Sequence, residues 1–278
     1  MSIENLKSII NAKAKEKNLK VGLYFNDFSG NKLEINSSEI WESASCIKVP
    51  ILIELFKRIE SGEFDKYQLI EKTDEVYCEG SGILRSLSKN SKYRIYDVAT
   101  LMIIVSDNVA TNMLIDLLGI ENINKTSKEL GLENMKLFGK LKLFGDEENP
   151  IGTITPRDYG RIFEIIYNNE LGSKNISNEI IDILKKQHYT MMLDRKFPQT
   201  FLSSKENKVE IATKSGSLNN CRNDGGIIFT PWKDYILTLL IKDFNRPNYY
   251  HVDHEAYELA PEISNMIFNQ VYTNNYKD

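Results

Sequence analysis

Strand-like and helix-like hydrophobic patterns occupy different parts of the chain. Short apolar segments rich in β-branched residues and bounded by polar turns predict strands near both ends. These strands are predicted at 20–27, 33–35, 209–213, 225–230 and 235–241. Residues 3–17 and 255–271 predict helices, and most of 63–200 has the hydrophobic spacing that is typical of helices. Strands at both ends with helices between them predict an α+β fold.

The two groups of strands are expected to share one antiparallel sheet flanked by helices, because the helical residues lie between them as an insertion. The predicted sheet subdomain then comprises 1–62 and 201–278, and the predicted all-helical subdomain comprises 63–200. We find no internal repeat and no low-complexity linker in the sequence.

A serine begins the most apolar predicted helix, which runs from Ser45 to Gly62. Apolar residues cover most of the circumference of this helix, and such a helix is buried on most sides. Lys48 follows at i+3 on the same face, so it can reach the hydroxyl of Ser45 and act as the base that a serine nucleophile needs. The alternative role of Ser45 is an N-cap. The same Ser-x-x-Lys spacing also begins at Ser29 and Ser86, both in polar segments, so the spacing alone does not decide.

Two further polar motifs adjoin apolar elements. The triplet Ser-Asp-Asn at 106–108 separates the apolar segments 98–105 and 109–118, and polar groups between buried helices are costly unless they are hydrogen-bonded. The triplet Lys-Ser-Gly at 214–216 follows a predicted strand near the C-terminus.

Composition and charge exclude several classes of partner. The chain has 278 residues, a net charge of −4 and no basic tract, which argues against nucleic acid. No apolar run approaches the roughly 20 residues that span a bilayer. The first ten residues predict a polar helix rather than a signal sequence. We expect a cytoplasmic monomer that binds a small molecule, and secretion would require a leader that has been removed.

The cysteines and histidines indicate neither a disulfide nor a metal site. Cys46, Cys78 and Cys221 are an odd number of thiols, and with no signal sequence we expect them to be free. Cys46 is predicted to pack in the core, about 100° around the helix from the preceding serine. His251 and His254 flank Asp253, but this spacing matches no zinc pattern, so we predict no metal and no cofactor.

Taken in order, three motifs resemble the signature motifs of class A serine β-lactamases and penicillin-binding proteins. They are Ser45-x-x-Lys48, Ser106-Asp107-Asn108 and Lys214-Ser215-Gly216. The helix start at Thr155-Pro156 and the sequence Arg222-Asn223-Asp224 also resemble class A enzymes, so the likeness covers nearly the whole chain. The resemblance implies a β-lactamase/transpeptidase-like fold and an acyl-enzyme on the serine of the first motif.

The resemblance also implies a role for each matched residue. Ser45 would attack the lactam carbonyl and Lys48 would accept its proton, directly or through water. Ser106 would pass a proton to the departing nitrogen, and Lys214 would supply positive charge. The implied substrate-binding residues are Asn108 for the side-chain amide, and Ser215, Gly216, Ser217 and Arg222 around the substrate carboxylate. The backbone N–H groups of Ser45 and Ser217 would form the oxyanion hole.

One element of the class A pattern is missing. In class A enzymes a Glu-x-x-Leu-Asn sequence before the Thr-Pro helix supplies the glutamate that activates the deacylating water. Residues 139–150 contain no such sequence. Glu147 and Glu148 are the candidate replacements, and their alternative role is a solvated loop surface. Without such a base, the serine would be acylated and then stall.

Three functions therefore remain open. The chain is a serine β-lactamase-like hydrolase, a related esterase or D-alanyl peptidase, or a non-enzymatic module that binds β-lactams or related ligands. Acylation and turnover of a penicillin, measured together, separate the three.

Overall fold

The computed structural model describes residues 2–142, 150–244 and 254–275. The α-helices are α1 (Ile3–Glu16), α2 (Lys48–Glu60), α3 (Ile95–Ile104), α4 (Asn108–Leu118), α5 (Ile120–Glu129), α6 (Pro156–Tyr167), α7 (Lys174–Leu184), α8 (Gln199–Leu202) and α9 (Glu255–Asn275). The strands are β1 (Lys20–Asn26), β2 (Lys32–Ile35), β3 (Trp41–Glu42), β4 (Leu69–Glu71), β5 (Lys92–Arg94), β6 (Lys136–Leu137), β7 (Gly152–Ile154), β8 (Glu210–Thr213), β9 (Gly216–Ser217), β10 (Cys221–Phe229) and β11 (Tyr235–Lys242).

The central sheet joins the two ends of the chain. Its strand order is β2-β1-β11-β10-β8, β9 pairs with the beginning of β10, and the pairings are antiparallel. The N-terminal strand β1 pairs along its length with the C-terminal strand β11. The predicted α+β fold, with one antiparallel sheet built from both ends, is confirmed.

The two faces of the sheet border separate hydrophobic cores, as the alternation of side chains along a strand requires. Tyr24 of β1 belongs to the core that contains α2 to α7, whereas its neighbours Leu23 and Phe25 belong to the core that contains α1 and α9. Helix α2 is buried around most of its circumference, as its sequence predicts. It therefore holds the predicted nucleophile turn against the centre of the protein.

Helix α6 approaches the sheet closely because glycines line the contact. A Cβ atom on Gly22 of β1 would lie 2.7 Å from Cγ of Pro156, and a Cβ on Gly225 of β10 would lie 2.6 Å from Cε1 of Tyr159. Thr155 is the N-cap of this helix, since its hydroxyl accepts a hydrogen bond from the N–H of Asp158 at 3.0 Å.

Residues 63–200 are mainly helical, as predicted, but they also contain the short strands β4 to β7. Strands of two or three residues are too short to show an alternating pattern, so the sequence analysis did not include them. Helix α6 lies within these residues and yet packs on the sheet. The division of the chain at 62/63 and 200/201 stays a prediction. None of the described helices combines the length and the apolar character that a membrane crossing needs.

Substituting Gly160 tests the close approach of α6. Its added Cβ would lie 2.1 Å from Cδ1 of Tyr24. Gly160→Ala should lower the free energy of unfolding by about 1–3 kcal/mol, because overpacking outweighs the gain in helix propensity. Urea unfolding followed by circular dichroism measures the change. Gly139→Ala, whose Cβ would meet nothing within 4 Å, is the matched control, and an equal effect of both substitutions would contradict the packing argument.

Candidate active site

Ser45 lies in a 3₁₀ helix, Ala44–Ile47, immediately before α2. The N-cap of α2 is Ile47, and no side chain makes a capping hydrogen bond there. The alternative role of Ser45 as an N-cap is therefore wrong. The preceding residue, Ala44, has a φ of 45°, a left-handed conformation that is uncommon and strained for a residue with a side chain. Ser45 itself is half-buried.

The strand β9 lies directly against the nucleophile turn. A Cβ atom on Gly216 would be 2.7 Å from the backbone nitrogen of Ser45 and 3.0 Å from that of Cys46. Only glycine permits this approach, which explains the glycine of the third motif. Ser217, the next residue, is exposed. The two residues that were predicted to donate the oxyanion N–H groups thus lie on adjacent segments.

Lys48 is fully buried and contacts the second motif. Its Nζ atom lies 2.8 Å from the carbonyl oxygen of Ser106, 3.0 Å from the Ser106 hydroxyl and 3.0 Å from Oδ1 of Asn108. None of its described hydrogen bonds goes to Ser45. Burial, followed by the positive charge of Lys214, lowers the pKa of Lys48 well below its usual value.

Lys214 approaches the same serine from the sheet side. Its Nζ atom donates to the Ser106 hydroxyl at 3.2 Å and to the Ser215 carbonyl oxygen at 2.5 Å. Lys214 is also fully buried, and burial lowers its pKa to about 8. Ser106 has a left-handed φ of 54°, a strained conformation that is frequent at functional sites. The Ser106 hydroxyl therefore lies between two buried amines.

The hydrogens of this cluster can be counted. A neutral amine has two N–H donors and one lone pair, so a neutral Lys48 can donate to the Ser106 carbonyl and to Asn108 while it accepts from the Ser106 hydroxyl. That hydroxyl then accepts from a charged Lys214, which satisfies every contact. The lowered pKa of Lys48 favours its neutral form, whereas a pKa of about 8 leaves Lys214 mostly charged at neutral pH. The arrangement forms a directed hydrogen-bond chain from Lys214 through Ser106 to Lys48.

Asp107 holds the second motif in place, a function that the sequence analysis did not assign. Its carboxylate accepts hydrogen bonds from the N–H groups of Ile83 at 2.7 Å, Leu84 at 2.8 Å and Ala110 at 3.0 Å. The last contact makes Asp107 the N-cap of α4. An aspartate directly before an apolar helix is the signal that could have identified this cap.

The segment before residue 143 is held against α4, next to Asn108. Asn108 donates to the Glu79 carbonyl oxygen at 2.8 Å. One turn later on the helix, Asn112 accepts from the Leu141 N–H at 2.8 Å and donates to the Leu141 carbonyl at 2.9 Å. Leu141, which is half-buried, is thus held one helical turn from Asn108, which contacts Lys48. Glu147 and Glu148 lie outside the described residues, so their candidate role stays a prediction.

Arg222 is buried, but its described contacts do not join it to the lysine cluster. Its guanidinium donates to the carbonyl oxygens of Leu218 and Cys221, and it lies 5.2 Å from the centre of the Phe244 ring. The next residue, Asn223, faces the nucleophile turn and donates to the Glu42 carbonyl at 2.9 Å. Alternation along β10 sends Arg222 to the other face of the sheet. Its role in binding a substrate carboxylate stays a prediction.

Tyr159 is a second residue that sequence reasoning missed. It is fully buried on α6, and its hydroxyl donates to the carbonyl oxygen of Lys214. The Cys46 thiol also contacts that carbonyl, at 3.7 Å. Burial raises the pKa of Cys46 to about 12, which agrees with its predicted packing role. No sequence pattern links residues 159 and 214, because the contact forms only when α6 packs on the sheet.

Within the described part of the chain, no group of three or more His, Cys, Asp or Glu side chains is placed to hold a metal ion. The candidate cluster at 251–254 falls mostly outside it, since only His254 is described. The described cysteines are free and buried. The cluster of Lys48, Ser106 and Lys214 beside the nucleophile turn contains groups that can accept and donate protons, which suits acyl transfer to a serine.

A family model and several solved structures match this chain. The model of the β-lactamase enzyme family matches residues 4–271. A leucine-to-glutamate variant of PBP-A, described as an acyl-enzyme complex with penicillin G, is 27% identical, with a TM-score of 0.84 over 97% of both chains. PBP-A itself is 26% identical, with a TM-score of 0.83 over 97% of this chain and 96% of its own. A β-lactamase from Sphaerobacter thermophilus is 23% identical, with a TM-score of 0.88 over 98% and 99% of the two chains. No curated protein sequence matches significantly.

Substitution of Asp107 tests how the second motif is held. Asp107→Ala should lower the free energy of unfolding by at least about 2 kcal/mol, because it removes a cap and leaves two further N–H groups without their charged acceptor. Denaturant unfolding measures the loss. Ser173→Ala removes the cap of α7, a single 3.4 Å contact, and should cost about 1 kcal/mol or less. A loss at position 107 no larger than the loss at 173 would contradict the anchoring role.

Proposed function

Because the chain belongs to the β-lactamase enzyme family, we propose that it is a serine hydrolase that opens β-lactam amides through an acyl-enzyme on Ser45. The observation that carries the proposal is the pair of buried lysines, Lys48 and Lys214, that meet at the Ser106 hydroxyl beside the nucleophile turn. Buried ionisable groups with shifted pKa values at one site are typical of catalytic centres.

In the proposed acylation step, Ser45 attacks the carbonyl carbon of the substrate and its proton passes to Lys48, directly or through a water. Burial lowers the pKa of Lys48 well below its usual value, and this direction supports the role, because a neutral amine has a lone pair that accepts a proton. The backbone N–H groups of Ser45 and Ser217 are the proposed donors to the developing oxyanion.

The proposed return of the proton uses Ser106. When the C–N bond breaks, the leaving nitrogen takes the hydroxyl proton of Ser106, and Lys48 replaces that proton. Lys214, with a pKa of about 8, is mostly an ammonium at neutral pH. It stabilises the negative charge that develops on the Ser106 oxygen during the transfer. In the proposed mechanism the two lysines take different protonation states, which is how neighbouring groups divide acid and base roles.

Substrate recognition is proposed from the edges of the cluster. Asn108 is the candidate partner of the substrate's side-chain amide. Ser215, Ser217 and Arg222 are the candidate partners of its carboxylate. A monomeric state and a cytoplasmic location stay predictions.

A covalent binder that releases its acyl group slowly is the second candidate function. Class A enzymes deacylate with the glutamate of a Glu-x-x-Leu-Asn sequence, and residues 139–150 contain no such sequence. Asp107 is no substitute, since its carboxylate already accepts three backbone N–H groups. A related esterase or D-alanyl peptidase is the third candidate.

One pair of measurements tests the proposed function. The protein is incubated with penicillin G, its intact mass is recorded, and hydrolysis of a chromogenic cephalosporin is followed. Ser45→Ala should abolish the adduct and lower turnover by at least about 10³-fold, because no other group replaces the nucleophile. Ser86 is an exposed serine that is also followed by a lysine three residues later. Ser86→Ala should leave both the adduct and the turnover unchanged.

The outcomes separate the candidates. Rapid turnover that requires Ser45 supports the hydrolase, a lasting adduct without turnover supports the covalent binder, and turnover of simple esters alone supports the third candidate. If no adduct and no turnover are found with any of these probes, every acyl-serine function is ruled out.

Leu141→Glu tests whether deacylation is limited by a missing base. The backbone of residue 141 is fixed by Asn112, one helical turn from Asn108, which contacts Lys48. We propose that a carboxylate introduced at this position reaches the acylated serine. The adduct should decay at least about 10²-fold faster than in the unsubstituted protein, because a general base contributes that much. Adduct mass against time gives the rate. Leu141→Gln is the control, since glutamine has the same side-chain length as glutamate without the charge. Equal rates of adduct decay in the two variants would contradict the prediction.

A further inference from the structure

A buried carboxyl group lies behind Lys214, on the opposite face of the sheet. Thr213 pairs with Gly226, so Lys214 stands opposite Gly225 and shares its face, whereas Asp224 points to the other face. Asp224 is fully buried. Its Oδ1 atom is within hydrogen-bonding distance of the Thr213 hydroxyl and accepts from the Gly225 N–H at 2.9 Å. Its Oδ2 atom is buried and contacts no donor in the described part of the chain.

Counting hydrogens indicates which form of Asp224 this arrangement accommodates. The Thr213 hydroxyl has one hydrogen but lies near two oxygens, Oδ1 of Asp224 and the carbonyl oxygen of Gly225 at 2.8 Å. If Asp224 is protonated on Oδ1, it donates to Thr213, and Thr213 donates to the carbonyl. If Asp224 is ionised, only one of these two contacts is a hydrogen bond, and a charged Oδ2 is left buried without a donor, which is costly.

Burial and the neighbouring charges place the pKa of Asp224 close to neutral pH. Burial raises the pKa of Asp224 to about 7, while hydrogen bonds from Thr213 and Gly225 and the charge of Lys214 oppose the rise. The negative charge of Asp194, in the segment before α8, also raises the pKa of Asp224. Arg222 lies on the same face of β10, but its guanidinium donates to the carbonyl oxygens of Leu218 and Cys221.

Asp224 is linked to Lys214 by structure and by charge. Thr213 directly precedes Lys214, whose N–H donates to the Gly225 carbonyl at 3.1 Å, the same oxygen that Thr213 contacts. The hydrogen bonds around Asp224 therefore fix the end of β8 from which the lysine side chain extends. A negative charge on Asp224 also favours the ammonium form of Lys214.

We propose that Asp224 is a positioning residue for Lys214: a protonated acid in the folded protein that holds the end of β8 through Thr213 and, once ionised, stabilises the Lys214 ammonium. The first part concerns folding alone. The second part rests on the proposed function, in which Lys214 acts as a cation beside Ser106.

Unfolding against pH tests the first part without any substrate. An acid whose pKa is raised on folding contributes stability that is present below its unfolded pKa, about 4, and lost as pH rises through its folded pKa, about 7. The unfolding constant of the wild type, divided by that of Asp224→Asn, should therefore rise by up to about tenfold per pH unit across this window. Any hydrogen bond that asparagine fails to make affects the ratio equally at every pH.

Asp27→Asn is the matched control for unfolding. Asp27 lies in the β1–β2 turn, and although burial opposes the change, hydrogen bonds from Asn31 and Ser29 lower its pKa. Its carboxyl group is therefore ionised in both the folded and the unfolded protein between about pH 5 and 7. The unfolding constant of the wild type, divided by that of Asp27→Asn, should not change with pH in this range. A ratio for Asp224→Asn that is also flat between pH 4 and 7 would overturn the proposal.

Acylation against pH tests the second part. In Asp224→Asn the alkaline limb of the acylation rate should move to lower pH by at least about 0.3 unit, because no negative charge supports the Lys214 ammonium. A purely structural defect lowers the rate at every pH without moving the limb, and an unmoved limb would overturn this part. If the wild-type protein is not acylated at all, the proposed function fails, and the unfolding experiment still decides whether Asp224 is protonated.

Discussion

The burial of two lysines at one serine hydroxyl is the constraint on which the rest of this site depends. Within the described residues, the amino groups of Lys48 and Lys214 contact carbonyl and hydroxyl oxygens and no carboxylate. Two ammonium groups that are removed from water and placed near each other repel, so the arrangement favours the loss of one proton. Burial and the positive charge of Lys214 lower the pKa of Lys48 well below its usual value, which favours the neutral amine that a general base needs.

Such a cluster needs rigid support, because a buried amine that loses its acceptors becomes unfavourable. The support comes from three directions. Helix α2 carries Lys48 within the larger core, Asp107 fixes the turn before α4 on which Ser106 lies, and Tyr159 contacts the carbonyl of Lys214. These anchors use buried hydrogen bonds to the backbone, which limit the movement of the segments that they join. The strained φ angles of Ala44 and Ser106 persist because the surrounding structure holds them.

Much of the fold follows from local patterns in the sequence. Most of the strands near both ends were recognisable because they are apolar and bounded by turns, and β1 and β11 are long enough to show this. Only the second half of β10 was recognisable, because this strand begins with Cys-Arg-Asn-Asp. Helices α2, α3 and α4 were recognisable from their apolar character, and α6 from its Thr-Pro start. The strands β3 to β7 were not, since two or three residues carry no periodicity. The 3₁₀ geometry at Ser45 was not predicted either, because the local sequence does not distinguish it from the first turn of α2.

The sequence by itself determined the chemical groups of the candidate site and their order along the chain, because Ser45, Lys48, Ser106 and Lys214 stand in recognisable motifs. It also indicated one antiparallel sheet built from both ends. Only the tertiary structure decided which atoms meet. Lys48 contacts Ser106 and Asn108 in its described hydrogen bonds, Arg222 lies across the sheet, and Asp224 is buried behind Lys214. These contacts join residues far apart in the chain, and their burial sets the pKa values. Neither distance nor dielectric environment can be read from a local pattern.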